Sequence, residues 1–121
     1  MTTDRDMMLV TALIRPHMEG HVVRMLHDLP DFPGFTFTET RGQRQGRGQG
    51  GAYVSTEFDL TYHQFLELRL ACRSELAGEI RDRIASAAWT GRKGDGVVFI
   101  TPVHSFARIR EIGKRPEKSN D

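Results

Sequence analysis

The sequence predicts an α+β domain whose elements run strand, helix, strand, strand, helix, strand, and three observations carry that prediction. Four runs are rich in strand formers, beginning at Met7, Gly34, Phe65 and Val97. Two other segments place apolar residues at helical spacing. A glycine-rich segment, GQRQGRGQGG over residues 42–51, separates the second and third strands. The length of 121 residues suits a single domain with one core.

The elements are justified in chain order. MMLVTALI, Met7 to Ile14, is apolar enough for a buried strand, and Arg15-Pro16 ends it. In HMEGHVVRMLHDL the residues Met18, Val22, Met25, Leu26 and Leu29 fall on one face, which predicts an amphipathic helix stopped near Pro30 and Pro33. GFTFTETRG alternates Phe35, Phe37 and Glu39 with Thr36, Thr38 and Thr40, a strand with one polar face. Residues 42–51 then hold five of the twelve glycines, three glutamines and two arginines, a composition that builds no core and is expected to be mobile. FLELRLAC predicts a strand from Phe65 to Cys72. SELAGEIRDRIASAAW predicts a second helix with Leu76, Ile80, Ile84 and Ala88 along one face. The order is that of the split βαβ, or ferredoxin-like, arrangement, which hosts many functions and settles none.

Composition narrows the classes. A formal charge of +1 argues against a nucleic-acid or membrane specialist defined by bulk charge. One cysteine, Cys72, excludes an internal disulfide and suits a buried small apolar side chain at a strand end. No signal peptide is legible at the N-terminus, and no apolar run reaches the roughly 20 residues that span a bilayer. A soluble cytoplasmic protein is expected.

The most informative stretch is TGRKGDGVVFITPV, Thr90 to Val103. A plain helix C-cap needs one glycine, Gly91 in a left-handed conformation. Gly94 and Gly96 around Asp95 exceed that need, and glycine costs backbone entropy unless a special torsion or a close approach requires it. A nest of backbone N–H groups for an anion has this composition. The order helix, glycine turn, strand is the reverse of the dinucleotide and P-loop fingerprints. Downstream, Arg108 and Arg110 at spacing two in an extended segment would present both guanidiniums to one anion.

GFTFTETRG, TGRKGDGVVFITPV and ARIR, together with IRP at the end of the first strand, resemble the signature segments of the PII signal-transduction superfamily in order and interval, over about residues 7 to 113. The resemblance implies a ferredoxin-like homotrimer made of one domain over 1–121. Residues 43–62 would be its T-loop and 111–121 a flexible C-terminal tail. It implies ATP or ADP bound in clefts between subunits, with Mg²⁺ as a further ligand and no enzymatic activity. The T-loop would dock onto a membrane transporter or metabolic enzyme. By this resemblance Thr36, Thr38, Arg41, Gly42, Gly94, Asp95, Gly96, Arg108 and Arg110 line the nucleotide cleft. Gln45 stands near the family's effector and Mg²⁺ position, and Arg44, Arg47 and Tyr53 belong to the partner-binding loop.

Several residues depart from that pattern. Val97 stands where the family has a phosphate-contacting lysine, so ATP should be preferred over ADP only weakly. Phe65 replaces the lysine that pairs with 2-oxoglutarate in nitrogen-sensing members, and a dicarboxylate would lack its counter-charge there. The uridylylated tyrosine of the family falls on Phe58. These departures suggest a divergent member, with the group associated with heavy-metal efflux pumps preferred. Two other functions compete. RGQRQGRGQGG resembles a short RNA-binding segment, although the strands lack paired surface aromatics for base stacking, so no nucleic acid is expected. His17 and His21 at i, i+4, with His27 further along, would suit a metal-responsive trimer if a third ligand converged.

Overall fold

The structure is a computed structural model, and it describes residues 6–43 and 62–113. Strand β1 spans Met7–Ile14, β2 Thr36–Gly42, β3 His63–Arg73 and β4 Gly96–Pro102. Helix α1 covers Glu19–His27 and α2 Ser74–Ala88, and a single turn of helix, α3, covers Ile109–Ile112. The expected order of strands and helices is therefore present, with three differences of detail.

Pro16 opens a 3₁₀ turn, Pro16–Met18, ahead of α1. Its fixed φ suits a first helical position, so the chain turns sharply off β1 before the α-helical hydrogen bonds begin. The third strand starts at His63, two residues before the expected Phe65, because β2 continues to Gly42 and keeps a partner for it. Helix α2 ends at Ala88 with an extended Trp89 at its C-cap, so Gly91, although at φ 86°, lies beyond the stop and is not the cap that the sequence suggested.

The four strands form one antiparallel sheet in the order β2-β3-β1-β4. One rung of the register relates the two sheet edges to each other: Glu39 lies opposite Leu66, Leu66 opposite Ile14, and Ile14 opposite Gly96. Alternation along the strands puts Val10, Ala12 and Ile14 of β1 and Leu66, Leu68 and Leu70 of β3 on one face. Val22 and Leu26 of α1 and Ala77, Ile80 and Ile84 of α2 cover that face and complete the core. Each buried Val, Leu or Ile among them, taken from water, contributes about 1.5–3 kcal/mol of burial. Cys72 is buried among them, and burial pushes its thiol pKa up, as suits an apolar role.

The opposite face is not covered by either helix. It carries Thr11, Leu13, Glu67, Arg69, Val97 and Phe99, of which Val97 and Phe99 are 54% and 47% exposed.

Candidate functional site

The expected site residues divide between the two edges of the sheet. Thr36, Thr38, Arg41 and Gly42 belong to β2, one edge strand, and Gly94, Asp95 and Gly96 belong to the turn that opens β4, the other. Two strands lie between them, three steps of about 4.8 Å and hence roughly 14 Å across the backbone. A single chain does not bring the two groups together. Both lie toward the same end of the sheet, because Gly96 and Glu39 share a rung and Arg41 and Gly42 lie just past it.

On β2, Thr36 and Thr38 are exposed and face away from the helices, opposite Arg69 and Glu67 of β3. Arg41 lies opposite Gln64 and its guanidinium stands 5.7 Å from the ring centroid of Tyr62. Arg41 also lines a cavity of about 350 Å³ with Pro16, Glu19, Glu39, Gln64 and Phe65. Arg44, Gln45, Arg47 and Tyr53 lie outside the described residues.

The turn on the other edge is built around Asp95. Its Oδ1 accepts from Arg15 Nε at 3.0 Å and from the Thr90 hydroxyl, and its Oδ2 accepts from the amides of Thr90 at 2.7 Å and Gly91 at 3.1 Å. Arg15 Nη2 also donates to the Lys93 carbonyl at 2.7 Å. The Thr90 hydroxyl and amide, with Arg15 and the Gly91 amide adding to them, hold the Asp95 carboxyl well below the usual carboxylate range. Asp95 is therefore charged at neutral pH and tied into the turn. The amide of Arg92 donates to the Thr90 hydroxyl oxygen at 3.3 Å. The amides of Thr90, Gly91 and Arg92 are thus committed inside the turn.

Gly96 has a backbone reason of its own. Its φ is 121°, and a Cβ built there would stand 1.8 Å from the Leu13 carbonyl oxygen, so no other residue fits. Gly94, at φ 85°, is likewise left-handed. Thus the glycines beyond a simple cap are required by the close approach of β4 to β1 and by the turn itself.

Arg108 and Arg110 do not lie in one extended segment. Arg108 is extended, with its guanidinium 5.2 Å from the Phe106 ring centroid, whereas Arg110 lies inside α3. Two residues along a helix are turned through more than half a circle, so alternation does not set these side chains side by side. Both are exposed. Among the described residues no group of three His, Cys, Asp or Glu could hold a metal ion, and His27 stacks on Phe32 at 4.6 Å between ring centroids.

Sequence reasoning missed Arg15 and Thr90 as members of the turn. Arg15 was visible as the end of a strand and as part of the IRP segment, with no link to the turn, and it stands 80 positions from Asp95. Only the pairing of Ile14 with Gly96 brings them together.

The family model described as Nitrogen regulatory protein P-II matches residues 7–112. The chain belongs to the nitrogen regulatory protein P-II family. Among relatives, it is 35% identical over 108 residues to the nitrogen regulatory protein P-II of Synechocystis sp., covering 89% of this chain and 96% of the relative. It is 33% identical to the P-II protein of Microchaete diplosiphon over the same shares, and 29% identical over 104 residues to the nitrogen regulatory protein GlnK of Escherichia coli K12, covering 86% and 92%. P-II membership makes the chain a regulator and not an enzyme. These relatives bear nitrogen-regulatory names and lend no support to a heavy-metal-efflux subgroup. No helix among the described residues is long and apolar enough to cross a membrane.

Proposed function

We propose that this P-II protein binds ATP or ADP in clefts between the subunits of a cytoplasmic homotrimer and passes its ligand state to a transporter or metabolic enzyme through residues 43–62. The observation that carries the reading is the division of the candidate residues between opposite sheet edges. Two edges roughly 14 Å apart in one chain become neighbours when β2 of one subunit meets the β4 turn of the next. The sheet face left open by the helices supports assembly, since Val97 and Phe99 expose apolar surface that a second copy of the chain would cover.

In that cleft the backbone of the Gly94–Gly96 turn would receive phosphate oxygens, with Arg108 and Arg110 supplying charge. Thr36, Thr38, Arg41 and Gly42 would form the wall from the neighbouring subunit. Mg²⁺ would accompany the phosphates of ATP, near Gln45, which lies outside the described residues. Binding beside Gly42 would bias the conformations of the loop after it, and the partner's affinity would change by the difference in ligand binding between loop states.

Mass determination in solution and then calorimetry with ATP, ADP and AMP tests the reading. A trimer that binds ADP and ATP is expected. Because Val97 supplies no charge, the preference for ATP should be less than about tenfold, a difference of about 1.4 kcal/mol. A monomer, or a trimer without affinity for any of the three nucleotides, would overturn it.

A further inference from the structure

We propose that Arg15 is a positioning residue for the phosphate-receiving turn, and that Asp95 braces the turn from within and does not touch the ligand. The proposal rests on the nucleotide reading above and assigns roles within that same site.

The geometry of Asp95 comes first. An ionised carboxylate has about four acceptor positions, and here four donors fill them: Arg15 Nε, the Thr90 hydroxyl, and the amides of Thr90 and Gly91. No capacity remains for a ligand donor, and an unbalanced carboxylate in such a turn would repel phosphate. Arg15 offsets that charge at 3.0 Å, with both side chains partly shielded from solvent, at 26% and 19% exposure. The second contact of Arg15, from Nη2 to the Lys93 carbonyl, fixes the middle of the turn. One guanidinium thus holds the turn at two points and ties it to the end of β1.

The sheet register delivers Arg15 to this position. Ile14 lies opposite Gly96, so the residue after Ile14 arrives beside the residue before Gly96. The chain's own hydrogen bonds define the shape of the turn, which lowers the ordering cost that binding must meet. A lysine at position 15 would keep the charge but lose the rigid two-point fork.

Calorimetry with ADP on the full-length protein, comparing wild type, Arg15→Ala, Arg15→Lys, Asp95→Asn and the double variant Arg15→Ala with Asp95→Asn, tests the assignment. Arg15→Ala should raise the Kd for ADP about tenfold, Arg15→Lys should recover part of the loss, and the double variant should bind no worse than Asp95→Asn alone. Amide hydrogen exchange of the ligand-free protein should quicken at Thr90 and Gly91 in Arg15→Ala while Leu68 keeps its protection. Wild-type affinity in Arg15→Ala would overturn the proposal, and additive losses in the double variant would show that Arg15 meets the ligand directly. If wild type binds no ADP, the nucleotide reading fails. The brace is then judged by exchange alone: faster exchange at Thr90 and Gly91 supports it, and unchanged exchange overturns it.

Discussion

At Gly96 the side chain is excluded by the backbone of a neighbouring strand. A Cβ would overlap the Leu13 carbonyl, and φ lies at 121°. Gly96→Ala should therefore destabilise the fold by about 3 kcal/mol or more, through a strained torsion and displacement of β4 from β1. Urea unfolding of the variant measures this, and a midpoint equal to wild type would contradict the close approach. Asp95 predicts a pH dependence. Folding lowers its pKa below the unfolded value of about 3.9. Its contribution is therefore fully present above that value and disappears as pH falls through the lower folded value. The difference in thermal midpoint between wild type and Asp95→Asn should stay constant across neutral pH and close only below about pH 4. A gap that closes near neutrality would implicate another group.

At the scale of elements, periodicity made most of the fold legible. The eight residues from Met7 to Ile14 are the first strand, and Ile80, Ile84 and Ala88 face the core as their spacing predicts. Ala77 is buried more deeply than Leu76, so the stripe facing the core begins one residue later than the spacing suggested. The turn after Arg108 was misread, because Ala107, Arg108, Ile109 and Arg110 alternate apolar and polar as a strand does, and four residues are too few to separate that pattern from one helical turn. The Arg15 brace was illegible because it is created by strand register and not by any local pattern. The arginines give a prediction at this scale. Arg108→Ala should weaken ADP binding by about 1.5–3 kcal/mol, the cost of a lost charge-assisted hydrogen bond. Arg110→Ala should cost less, since only Arg108 is already held by an aromatic ring. Unchanged ADP affinity in both variants would remove this segment from the cleft.

At the scale of the whole molecule, the proposed trimer shares each cleft between β2 of one subunit and the β4 turn of another, and such a cleft would have a consequence that a cleft within one chain lacks. Arg41→Ala damages only the β2 wall, and Asp95→Ala damages only the turn, so each homotrimer should have every cleft impaired. Mixed trimers are different. In a closed ring each subunit gives its β2 edge to one cleft and its turn to another. A cleft that takes β2 from an Asp95→Ala subunit and the turn from an Arg41→Ala subunit is intact. With random assembly from equal amounts, about one cleft in four is of this kind and another quarter carries both defects. Co-refolded variants should therefore regain about a quarter of the wild-type number of high-affinity ADP sites, read as stoichiometry in calorimetry. If the mixture shows only the average of its parents after mass analysis has confirmed mixed trimers, the two sheet edges do not meet at a shared nucleotide.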